Sequence, residues 1–107
     1  MIRFYDKDLL REIGFVDFGN VRMGESSNVT LVYKNDSNAL LVDIKFVLNN
    51  PEVSIVGSYK KSLRSKEKSE LALRWTPKVK MERGLSCRID YTADEIWGER
   101  TNEVRGK

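Results

Sequence analysis

The sequence contains no histidine and a single cysteine, Cys87. Without histidine, the commonest general base near neutral pH and the commonest metal ligand are both missing. One cysteine excludes an internal disulfide and, with no histidine beside it, argues against a zinc site. No run of about 18 apolar residues occurs, so no membrane-spanning helix is expected. The first ten residues, MIRFYDKDLL, carry acidic side chains where a secretory signal needs an apolar core. Export by that route is therefore not expected, and an intracellular or virion location is. Charge of one sign is lacking too. Nineteen Lys and Arg stand against sixteen Asp and Glu, a net charge of +3. That is far below the basic excess of a dedicated nucleic-acid binder.

What is present suits one small domain. A chain of 107 residues buries one modest core and little more. Its 40% hydrophobic content argues against disorder, and its 33% charged content predicts a heavily charged surface. The stretch GFVDFGNVRMGESSNVTLVYKN, residues 14–35, organises the rest. Phe15, Val16 and Phe18 predict a short apolar strand, with Gly19-Asn20 and then Gly24 as breaks. Val29, Leu31 and Tyr33 alternate with Thr30, Val32 and Lys34, the period of two that a half-buried strand requires. Asn35-Asp36-Ser37-Asn38 is a run of turn formers.

Further strands follow at spacings of about 8–15 residues with turn signals between them, which argues for an all-β sandwich. In ALLVDIKFVL, residues 39–48, the apolar set is Leu40, Val42, Ile44, Phe46 and Leu48, predicted to face the core. Asn49-Asn50-Pro51 stops that strand, since proline offers no N–H to a ladder. A short strand covers residues 53–56. Residues 59–69 form a charged loop with one apolar pin, Leu63. Leu71, Leu73 and Trp75 point one way in the next strand, which Pro77 ends. Residues 78–84 read as a charged turn. Leu85, Cys87, Ile89 and Tyr91 then alternate with Ser86, Arg88, Asp90 and Thr92.

The strings VDFGNVRMGE and KNDSNALL, with a strand between them, resemble the opening of the ASH-type immunoglobulin-like domains, relatives of the major sperm protein fold. Those domains show an apolar strand, Phe-Gly, a small link, Gly-Glu or Gly-Asp, a strand ending in Asn, and a turn. RSKEKSELALRWTPK resembles their polar loop, strand and aromatic-Thr-Pro signature. The resemblance covers residues 15–92; the segment before Phe15 and the tail after Thr92 depart from it. It implies an immunoglobulin-like antiparallel β-sandwich of about seven or eight strands. The same pattern recurs in cytoskeletal, ciliary and secreted proteins and in small virion proteins, so the resemblance bears on the fold more than on the function.

The parity of Cys87 places it on an apolar strand face, where a thiol is inert. Asp6 with Asp8, and Asp94 with Glu95, lack the oxygen-ligand spacing of a calcium loop. Gly19 and Gly24 are not followed by Lys-Ser/Thr, so they form no phosphate loop and suit positive-φ turns. Asn28-Val29-Thr30 and Asn35-Asp36-Ser37 match the glycosylation sequon by chance where no secretion signal is present. Lys60, Lys61, Arg64, Lys66 and Lys68 make a basic loop, but Tyr59 is its only aromatic and no stacking platform results. Any nucleic-acid affinity is expected to be weak and salt-dependent.

The expected organisation is therefore an N-terminal strand or arm at residues 1–14, a sandwich at 15–97 and a polar tail at 98–107. No catalytic, metal or cofactor-binding residue is expected, and the chain is not expected to be an enzyme. Partners are expected to be proteins, in a homo-oligomer or larger assembly, with no specific nucleic acid and no membrane. The candidate interface residues are Ile2, Phe4, Tyr59, Lys60, Lys61, Arg64 and Trp97. Ile2 and Phe4 belong either to a strand of the sandwich or to an arm that docks on a neighbour. Trp97 either caps the sandwich or anchors a partner. Two roles compete: an accessory component of a larger particle, such as a viral capsid or tail, and a peptide-binding adaptor of the ASH or major sperm protein kind.

Overall fold

A computed structural model describes residues 1–7, 11–22, 24–77, 83–97 and 100–106; over 83–86 and 100–106 the description is of the backbone. Residues 8–10 of the N-terminal segment, residues 78–82 of the turn expected at 78–84 and the side chain of Leu85 lie outside it; Arg83 and Gly84, expected in that turn, belong to a strand instead. The described chain is all-β. Its eight strands are β1 (Ile2–Tyr5), β2 (Phe15–Val21), β3 (Ser27–Asn35), β4 (Leu40–Leu48), β5 (Val53–Ile55), β6 (Lys68–Trp75), β7 (Arg83–Trp97) and β8 (Arg100–Gly106). They form two antiparallel sheets, ordered β1-β3-β6-β5 and β2-β7-β4, with β8 also paired to β7. The sheets pack face to face as an open sandwich.

The core lies between the sheets, and period-two alternation builds it. Leu31 and Tyr33 of β3 meet Leu71, Leu73 and Trp75 of β6, all essentially buried. Cys87, Ile89, Tyr91 and Ala93 of β7 close it from the other side. Aromatic rings run through the middle: Phe46 lies 4.9 Å from Tyr33 and 5.9 Å from Phe4 between centroids. Phe18 lies 6.1 Å from Trp75. Leu63, the pin of the charged loop, is fully buried and exchanges two 2.9 Å backbone bonds with Leu41.

Three details differ from the sequence pattern, each for a physical reason. Gly19-Asn20 does not break β2. Gly19, at φ 71°, sits in a bulge where the β2–β7 register shifts, and its N–H donates to Asp17 Oδ1 at 2.9 Å. The strand continues to Val21, which is buried. In β4 a second shift falls between Val42 and Lys45, with Asp43 at φ 52°. A bulge inserts one residue and reverses the faces beyond it. Ile44, Phe46 and Leu48 keep the expected core side, but Leu41 is buried and Leu40 is exposed.

The third difference is at the C-terminus. The sequence ends the sandwich at residue 97 and leaves 98–107 as a polar tail, whereas the backbone of Arg100–Gly106 pairs with residues 91–97 of β7. β7 is fifteen residues long. At ~3.4 Å per residue it spans roughly 50 Å, close to the 52 Å long axis of the molecule.

The Cys87 thiol is buried, and burial pushes its pKa up. We expect it to resist a thiol reagent in the native state and to react once denaturant is added. Rapid labelling of the native protein would mean that the faces of β7 are reversed.

Candidate functional site

The interface residues expected from the sequence do not form one patch. Ile2 and Phe4 are corrected outright as surface contacts. Both are core residues of their own chain, 5% and 9% exposed. β1 pairs in cis with β3, Ile2 opposite Asn35 and Phe4 opposite Tyr33. The Ile2 N–H donates to the Tyr91 hydroxyl of the other sheet at 2.9 Å. Arg3 locks the same segment from outside, with Asp36 Oδ2 at 2.7 Å and Glu12 Oε2 at 3.1 Å. The hydrogen bond from Arg3 holds the Asp36 carboxyl below its ordinary range.

Tyr59, Lys60, Lys61 and Arg64 lie on loop 57–67, which seals part of the outer edge of β4. Tyr59 is half-buried against Phe46, with ring centroids 5.0 Å apart, and Lys61 Nζ stands 5.9 Å from the Tyr59 centroid. The Lys60 carbonyl accepts from the Tyr33 hydroxyl at 2.7 Å, and the Lys61 carbonyl from the Ile44 N–H at 3.0 Å. The basic charge of the loop is partly matched: Lys60 pairs with Glu67, and Lys66 stands 3.5 Å from Asp36.

Asn35 fixes this loop to the sandwich. It is the one buried polar side chain among the described residues. Its Nδ2 donates to the carbonyls of Ala39, Leu63 and Arg64 at 2.8–3.0 Å, and its Oδ1 accepts from the Ser37 N–H and hydroxyl. The sequence showed Asn35 as a turn former; the burial of its amide depends on Leu63, 28 residues away.

No protein-family model, curated protein or solved structure matches this chain.

Trp97 ends β7 and is 43% exposed, with its indole N–H on Glu95. Three further exposed apolar side chains lie on strands of the same sheet: Phe15 on β2 (60% exposed), and Leu40 and Val47 on β4. They pair with Arg88, Ile96 and Asp90 of β7 and share their face, whereas Trp97 has the parity of Cys87, Ile89, Tyr91 and Ala93. The signal for Val47 was present, since it shares parity with Asp43 and Lys45. Phe15 shares parity with Asp17 in the same way. Both lie on the outer face of the second sheet, opposite Arg88 and Asp90 of β7 in register.

The edges complete the surface. β1 covers β3 only over residues 32–35. The Asp36 N–H reaches the Met1 carbonyl at 2.8 Å, so even-numbered residues of β3 face β1. Asn28 and Thr30 therefore turn their peptide groups toward an edge that, among the described residues, no strand covers. Beside them runs a groove of about 180 Å³ lined by Val29, Ile13, Phe15, Lys7 and Arg11 among others. β8, on the second sheet, is paired to β7 on one side; among the described residues its other side pairs with nothing.

Proposed function

We propose that this chain is a non-catalytic structural module that acts by protein–protein association, present in several copies in a larger particle such as a viral capsid or tail. One asymmetry carries this reading. The exposed large apolar side chains on described strands, Phe15, Leu40, Val47 and Trp97, all belong to the second sheet. That sheet also carries the outer edge of β8, which pairs with no other strand among the described residues. Phe15, Leu40 and Val47 share the outer face of that sheet, and exposed apolar side chains on one face mark an association surface. An edge strand with free peptide groups is the natural place for another chain to add. The resemblance to ASH and major sperm protein domains belongs to the same proposal.

Light scattering on the purified chain across a concentration series tests it. The expected result is a mass that rises in multiples of 12.4 kDa, with the species larger than a dimer lost when Phe15 and Val47 are both replaced by serine. A mass of one chain at every concentration would overturn it.

The groove beside Asn28 and Thr30 favours a second role, the peptide-binding adaptor. An extended segment laid there would continue the line of β1 and place its inward side chains near Val29 and Leu31.

A further inference from the structure

We infer that a second copy of this chain pairs antiparallel along the outer edge of β8, about a two-fold axis at Val104, joining the two second sheets into one. This rests on the association role above and adds the partner and the register.

The direction of the free peptide groups follows from β7. The Arg88 N–H donates to Asn49 Oδ1 at 3.1 Å, on the β4 side of the strand. Peptide groups alternate in direction along a strand. Tyr91, Ala93, Glu95 and Trp97 therefore turn theirs to the opposite edge, where β8 lies. The alternation is unbroken, because in both register shifts the extra residue falls outside β7, in β2 and in β4. The partners of these four in β8 are Gly106, Val104, Asn102 and Arg100. The remaining residues, Thr101, Glu103 and Arg105, turn their N–H and C=O away from β7. Residues 100–106 contain no proline and no lysine, and the charges they bring to the edge, Arg100, Glu103 and Arg105, are of both signs.

Charge then selects the register. Two such edges meet only if odd-numbered residues pair with odd-numbered ones. An axis at Glu103 sets that carboxylate against its own copy. An axis at Asn102 pairs Glu103 with Thr101 and leaves Arg105 outside the ladder. An axis at Val104 pairs Glu103 with Arg105 of the second copy, and symmetry repeats the pair.

The single chain carries a matching imbalance. Glu103 is placed opposite Asp94, a like-charge arrangement that weakens a sheet. Arg105 is placed opposite Thr92, whose other cross-strand neighbour is Lys45. The Val104 axis extends the acidic row with a cation and the basic row with an anion. It also sets the two Val104 residues side by side as a non-hydrogen-bonded pair, Cα atoms about 4.5 Å apart.

Val104→Cys in the full chain tests the axis directly. That Cα separation lies within disulfide reach, and Cys87 is buried and does not compete. Mild oxidation is expected to give a covalent dimer of Val104→Cys, and none of Asn102→Cys, whose two copies would lie roughly 13 Å apart along the strands. A second arm does not depend on the thiol. Glu103→Arg and Arg105→Glu alone should each weaken dimerisation several-fold, and the two together should restore it. If the wild-type chain associates, but Val104→Cys fails to cross-link or the double exchange fails to restore, this register is overturned and the association role stands. If the wild-type chain stays monomeric at every concentration, both are overturned.

Discussion

Trp75→Ala is expected to remove about 3–5 kcal/mol of folding stability, the usual cost of emptying a buried tryptophan site. Domains of this size hold about 5–15 kcal/mol in total. The side chain is fully buried, packs on Phe18, and sends its indole N–H to Glu52 Oε1 at 3.2 Å. It is also the point where three strands meet in register, with Ser27 of β3 on one side and Val53 of β5 on the other. Chemical denaturation of the variant checks the figure. A midpoint close to wild type would mean that β6 presents its other face to the core.

Asn35→Leu is expected to cost on the order of 3–5 kcal/mol, because buried acceptors left without donors each lose about 1–3 kcal/mol. Leucine nearly matches the shape, so the loss isolates the hydrogen bonds. The Ala39 and Arg64 carbonyls would lose the Asn35 donor, the Leu63 carbonyl would keep only the Leu41 N–H, and the Ser37 N–H and hydroxyl would lose their acceptor. The cost should fall unevenly. Backbone bonds between Leu41 and Leu63 should open first, since the loop is held at that point by the Asn35 amide and the Leu63 side chain. Denaturation gives the total, and hydrogen exchange at Leu41 and Leu63 gives the location. A change below about 1 kcal/mol would place the Asn35 amide in contact with water.

Much of the sandwich is legible in single residues. In β6 and β7 the alternation is unbroken, so Leu71, Leu73, Trp75, Cys87, Ile89 and Tyr91 all face the core as the period requires. Leu63 stands out as the one apolar residue in a charged loop and is buried for that reason. What was not legible depends on long-range pairing. Asp43 gives no local sign of its positive φ, yet the bulge there exchanges Leu40 for Leu41. β8 has only Thr101 and Val104 as strand formers, and its structure comes from β7 beside it. Ile2 and Phe4 have the same composition whether they pair in cis or in trans; the Tyr91 hydroxyl and the Arg3 ion pairs favour cis. Of the exposed apolar side chains on the second sheet, only Trp97 was singled out from the sequence. Phe15 was read only as part of a short apolar strand, although its parity with Asp17 points out.

The most direct test of association through an uncovered strand edge is amide hydrogen exchange along β8, residue by residue, in dilute and in concentrated protein. The Asn102 and Val104 N–H groups face β7 and should be protected at both concentrations. Those of Glu103 and Arg105 face away, and should exchange rapidly when dilute and slowly when concentrated. Exchange at Glu103 and Arg105 that is equally fast at both concentrations would contradict the account.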